Sequence, residues 1–153
     1  SYDNEDAWAL YHVGEAYYNN GNVADAYLFY QKSVQLAPFI PEFENKLGAS
    51  LMAQNKVDEA TKIFENALKE DSKFVPALNN LGYAYLVSGK INEAEQLYNR
   101  ALLLDPDYEP LLMNVAGFNL FKKNTKEAKR ILMQVLKLNP KNKKAQEVLQ
   151  SLK

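Results

Sequence analysis

The sequence predicts an all-α fold, an α-solenoid of stacked helix pairs, and three observations predict it. The first is internal repetition: Gly14, Gly48, Gly82 and Ala116 stand 34 residues apart. The same shift carries Ala26 onto Ala60, Ala94 and Ala128, Tyr30 onto Phe64, Tyr98 and Leu132, and Ser33 onto Ala67, Ala101 and Val135. The second is apolar spacing at i, i+3, i+4, i+7 within each copy, which lines one face of a helix. The third is composition: 47% hydrophobic residues with six glycines and six prolines leave little room for a β-rich fold with many tight turns. A helix pair of this length cannot bury its own apolar face, so successive pairs must stack.

Residues 1–6 (SYDNED) read as a short acidic N-terminal extension. Four copies follow at 7–40, 41–74, 75–108 and 109–142. In the third, Leu78, Leu81, Gly82 and Tyr85 form the inner face of a first helix, which stops at Gly89, a residue suited to the left-handed position after a helix. Gly21 and Asn55 fill that slot in copies one and two, whereas copy four departs from it with Lys123 and has Asn124 one residue later. A second helix is expected to start near Asn92, an effective N-cap, and to turn Ala94, Leu97, Tyr98 and Ala101 inward. Pro106 closes the unit, as Pro38 and Pro140 do elsewhere, with Ser72 in copy two. The small residues at 82 and 94 let the two helix axes approach, and Tyr85 and Tyr98 fill the space beside them. Residues 143–153 carry a last stripe of Ala145, Val148, Leu149 and Leu152 and read as a capping helix for the final copy.

These residues resemble the tetratricopeptide repeat (TPR), whose pattern runs W-x2-L-G-x2-Y, A-x3-F, P. Copy three matches as Leu78, Leu81-Gly82, Tyr85, Ala94, Tyr98 and Pro106. Copy one places Leu10 in the tryptophan slot and copy two Glu44; copy four is weakest, with Val115-Ala116 and Asn119. The resemblance implies a right-handed superhelix in which the first helices line a concave groove for a peptide or protein partner. It places Tyr11, His12, Glu15, Tyr18 and Asn19 of copy one on that groove, then Asn45, Lys46, Ala49, Met52 and Ala53. From copies three and four come Asn79, Asn80, Tyr83, Leu86 and Val87, and Met113, Asn114, Gly117, Leu120 and Phe121.

The asparagines Asn45, Asn79, Asn80 and Asn114 are suited to bond a peptide backbone, and equally to support the fold. Tyr83, Met52, Leu86 and Phe121 offer an apolar floor. With one lysine, Lys46, and no arginine, the list does not match the carboxylate clamp of TPR co-chaperones. Charge is uneven along the chain: residues 1–121 hold 8 basic and 17 acidic side chains, residues 122–153 hold 10 basic and 2 acidic. A solvated end, an acidic partner and nucleic acid are three readings of that basic end. Nucleic acid is disfavoured, because Phe121 alone stands near the lysines as a stacking platform. Ten of the 18 aromatic residues fall in residues 1–43: Tyr2, Trp8, Tyr11, Tyr17, Tyr18, Tyr27, Phe29, Tyr30, Phe39 and Phe43. They offer a second surface, for self-association or for bracing a neighbouring domain.

Catalysis is not expected. The chain has no cysteine, a single histidine (His12), no nucleophile elbow and no glycine-rich phosphate loop. Asp58 and Glu59 suit a helix start, where carboxylates complement the dipole. No cofactor and no metal site are expected. Residues 1–20 are too polar for a signal peptide, no apolar run approaches the length of a membrane span, and the absence of cysteine leaves the compartment open. The start at Ser1, close to the first helix, leads us to expect a piece of a longer chain.

Overall fold

A computed structural model describes the backbone of residues 2–153 and the side chains of residues 4–153. Ser1 of the expected extension, and the side chains of Tyr2 and Asp3 from the aromatic and acidic N-terminal sets, lie outside the described residues. Among the described residues the chain forms nine α-helices in order: α1 (Tyr2–Asn19), α2 (Val23–Leu36), α3 (Pro41–Ala53), α4 (Val57–Glu70), α5 (Val75–Val87), α6 (Ile91–Leu104), α7 (Glu109–Phe121), α8 (Thr125–Leu138) and α9 (Lys143–Ser151). Each of α1, α3, α5 and α7 packs on the helix that follows it, and the pairs stack in chain order, with α3 on α5 and α5 on α7. Residues 2–6, ahead of the first copy, are helical and form the start of α1. Ala7, fully buried beside Phe43 and Ala37, anchors that turn, and Glu5 and Asp6 suit its dipole.

The turn between the two helices of a repeat is the same in all four copies. Gly21, Asn55, Gly89 and Lys123 take φ of 82°, 62°, 78° and 60°. Lys123 therefore accepts the left-handed geometry that glycine adopts without penalty, and the sequence departure in copy four does not change the backbone. The cap expected at Asn92 is not used: α6 begins at Ile91, with Lys90 before it. An asparagine cap forms in copy four instead, where the Asn124 side chain accepts from the Glu127 amide. Between repeats, the carboxylate or amide oxygens of Asp71, Asp105 and Asn139 accept from the amide two residues on, at 2.9, 3.2 and 3.1 Å. Ala37 occupies that slot in copy one and has no such acceptor. There Phe39 takes a φ of 69° and stands 68% exposed.

The core rests on one recurrent contact. Tyr30, Phe64 and Tyr98 from the second helices lie against Gly14, Gly48 and Gly82 of the first. A Cβ added at Gly14, Gly48 or Gly82 falls 2.8, 2.5 or 2.7 Å from a ring carbon, far inside ordinary contact. Copy four changes both members, pairing Ala116 with the smaller Leu132 in the last core cluster. α9 covers the end of the stack: Ala145 is fully buried, and Val148, Leu149 and Leu152 pack against that cluster. Asn142 fixes its start, accepting from the Ala145 amide at 2.8 Å and donating to Glu109 of α7 at 2.7 Å.

Candidate ligand-binding wall

The first helices α1, α3, α5 and α7 follow one another along the stack with α9 at its end, and their register decides what each residue faces. Positions 45 and 80 meet across α3 and α5: the Asn80 amide donates to Asn45 Oδ1 at 2.9 Å. Positions 79 and 114 meet across α5 and α7, where Asn114 donates to Asn79 Oδ1 at 2.9 Å. Asn45 and Asn79 are buried, while Asn80 and Asn114 are half-buried. The four asparagines thus form a ladder between helices, and its acceptor members are withdrawn from the surface. Each rung satisfies a polar group that burial would otherwise leave unpaired.

At the α1 end the polar residues also bond one another. The Tyr30 hydroxyl donates to Glu15, and Lys46 Nζ lies 2.9 Å from the other Glu15 oxygen. Burial and the Glu15 hydrogen bond push the Tyr30 hydroxyl far above the usual phenol range, so it stays a donor. Burial, with the charges of Glu15 and Glu42, pushes Tyr11 up to about 12. Tyr11 is turned inward, its ring 5.2 Å from Phe43 and 5.8 Å from Tyr30. His12 is exposed beside Trp8 and Tyr11. Trp8 stacks edge-on against Phe43 at 4.6 Å, and Tyr17 stacks on Phe29 at 5.2 Å. Much of the aromatic excess in residues 1–43 therefore packs against itself.

Two hollows open on the wall, each of about 310 Å³. The first lies over α3, with Tyr18, Ala49, Met52, Ala53, Asn80 and Tyr83 around a floor of Phe64. The second lies over α7, where Tyr83, Leu86, Met113, Asn114 and Leu120 surround Gly117, with Leu132 beneath and Lys144 and Val148 of α9 on the far side. Tyr83, 44% exposed, is the ridge between them. The second hollow follows from two truncations in one repeat. Gly117 occupies the register position of Glu15, Ala49 and Tyr83, and Leu132 stands where the other copies have an aromatic ring. A Cβ at Gly117 would meet nothing within 4 Å.

Comparison with known proteins finds the same kind of repeat. A tetratricopeptide-repeat family model matches residues 51–112 and 88–152, and a second matches residues 7–39. The chain belongs to the tetratricopeptide-repeat family. Among curated proteins, none matches the sequence. The TPR fold recurs in solved structures. A Pseudomonas aeruginosa pilF structure shares 22% identity over 99% of this chain and 69% of its own, with a TM-score of 0.83. A thermophilic TPR protein of Thermus thermophilus shares 17% identity over 95% of this chain and 80% of its own, with a TM-score of 0.88. The first TPR of Spaghetti (RPAP3), bound to the HSP90 peptide SRMEEVD, shares 20% identity over 78% of this chain and 95% of its own, with a TM-score of 0.71. At these identities the likeness is one of fold.

Of the residues placed on the TPR groove from sequence, Tyr18, Met52, Asn80 and Tyr83 gather in the first hollow and Tyr83, Leu86, Met113 and Asn114 in the second. Phe121 is 61% exposed at the end of α7 and lines neither. Glu15, Lys46, Asn45 and Asn79 bond within the wall. Sequence reasoning missed Lys144 and Val148, which it gave to the cap alone. The 34-residue register carries Asn114 onto Val148 and so held the signal. A third hollow of about 330 Å³ lies between α6 and α8, where Asn119 replaces the tyrosine of Tyr85. Its charged rim is consumed internally, Glu127 by Arg130 and Glu95 by Lys122, each at 2.7 Å. Among the described residues no helix is long and apolar enough to cross a membrane.

Proposed function

We propose that this TPR array is a non-catalytic protein-interaction module whose wall of first helices receives a peptide or protein partner. The pair of apolar hollows flanking Tyr83 carries the reading. Exposed apolar area with a few half-satisfied amides is what an extended peptide needs: side chains enter the hollows, and Asn80 and Asn114 meet its backbone. The peptide bound to the Spaghetti (RPAP3) TPR supports this use of the fold. A clamp for two carboxylates does not fit, because Lys46 is already neutralised by Glu15. Chemistry needs an acid–base pair or an activated nucleophile in a pocket, and the ionisable residues lining the two hollows are Tyr18, Tyr83 and Lys144, which form no such pair. The helices of the wall are already formed, so most of the cost of ordering falls on the ligand.

The test is selection of a random heptapeptide library on the immobilised chain, followed by binding of the selected peptides to variants. Tyr83→Ala, Met52→Ala and Tyr18→Ala should weaken binding, and Leu103→Ala and Met133→Ala, exposed on second helices, should not. Loss through the second-helix variants alone would refute the groove. A second reading, self-association through residues 1–43, draws on exposed Val13, Leu28, Leu36 and Phe39. Light scattering over a concentration series tests it: a dimer lost on Leu28→Glu supports it, and a monomer throughout removes it.

A further inference from the structure

The hollow over α7 differs from the rest of the wall in two respects that together specify an occupant. It is the place where a side chain is missing: Gly117 at the centre has open space where a Cβ would stand, and the layer beneath is Leu132 instead of a ring. A glycine in mid-helix costs stability of about 1 kcal/mol relative to alanine, and here no close approach requires one. The hollow also lies at the basic end of the chain. Lys144 is on its rim, exposed, and without an ion-pair partner among the described residues. Of the two acidic residues in 122–153, Glu127 is tied to Arg130, and Glu147 stands one turn along α9, outside the lining.

We infer that this hollow is a specificity pocket for one bulky apolar side chain of a partner peptide, with an acidic residue within two positions of it reaching Lys144. The inference rests on the groove reading above and deepens it. Apolar burial against Leu86, Met113, Leu120 and Val148 supplies the affinity. The charge of the surrounding lysines steers an acidic segment to this end of the wall and sets its direction.

The peptides selected on the wild-type chain test this directly, through Gly117→Leu and Lys144→Glu. Leucine at 117 fills the hollow and favours the helix, so this variant should unfold no earlier than the wild type in a thermal melt. The expected result is selected peptides that share an apolar residue with Asp or Glu within two positions. Gly117→Leu should weaken them about tenfold or more. Lys144→Glu should weaken them by about threefold at about 0.15 M salt and by more at lower salt. Peptides without that pairing, or unaffected by Gly117→Leu, overturn the inference. If such peptides still depend on Tyr18 and Met52, the groove reading survives without this pocket. If no peptide is selected, both fall.

Discussion

Replacing Gly48 by alanine tests the contact on which the first three repeats rest. The new methyl would fall 2.5 Å from Cε1 of Phe64, a fully buried ring. Carbon atoms rest about 3.5–4.0 Å apart, so ring or helix must yield by about an ångström or more. Overpacking of this kind costs about 1–3 kcal/mol, against about 1 kcal/mol gained from the better helix propensity of alanine. The expected net loss is about 0–2 kcal/mol. Copy four already contains the remedy, since Ala116 is paired there with Leu132. Phe64→Leu alone should cost about 1–2 kcal/mol through lost burial. The double variant should then be little worse than Phe64→Leu, with a favourable coupling of about 1–2 kcal/mol. Urea unfolding followed by far-ultraviolet circular dichroism and by Trp8 fluorescence measures all four proteins. Additive losses, or a Gly48→Ala protein more stable than wild type, would refute the argument.

Glu44 occupies the slot of Leu10, Leu78 and Leu112, and its buried Oε2 has no partner. Glu44→Leu should therefore raise the urea midpoint, by about 1–3 kcal/mol in stability. Burial, with Glu70 adding to it, holds the Glu44 carboxyl above the usual carboxylate range. In the wild type the Glu44 contribution is accordingly favourable below the ordinary carboxylate pKa and lost as pH rises through the elevated one. A pH series of unfolding midpoints should show that loss and show it abolished in Glu44→Leu. Lys123→Gly relieves a left-handed lysine and should stabilise by about 0.5–1 kcal/mol, whereas Gly89→Ala should destabilise, both read by thermal melts. Asn45→Ala strips the acceptor from a half-buried amide and should cost about 1–3 kcal/mol in urea unfolding, well above the cost of Lys46→Met at the partly exposed ion pair.

The helices and their order are legible because register is a long-range signal: the copies agree on the small residue of the first helix and the alanine of the second, and three of them on the ring. Individual boundaries are less so. Asn92 has the chemistry of a cap, yet the tight turn through Gly89 puts the cap position two residues earlier, at Lys90. Residues 2–6 look like an acidic tail in isolation, but the burial of Ala7 draws them into α1. At the candidate site, sequence locates the wall and not the pairings on it. Whether Asn45 faces a ligand or Asn80 depends on the stagger between neighbouring helices, a tertiary quantity with no local signature. Tyr11 looks like a groove residue because its position is adjacent to the core stripe; the ring of Phe43 pulls it inward. The hollow over α7 is the hardest to see, since it arises from what Gly117 and Leu132 lack.

The asparagine ladder stops at Asn114, because Val148 follows it in register. The helices before it are clasped to one another by amides whose separation a hydrogen bond holds within narrow limits. α9 is pinned at its origin by Asn142 and Glu109, and beyond that point it is held by aliphatic contacts that can slide without breaking a polar bond. The stack is therefore joined by polar bonds along its middle and, past Asn142, by aliphatic packing alone at its last helix, where α9 borders the hollow over α7.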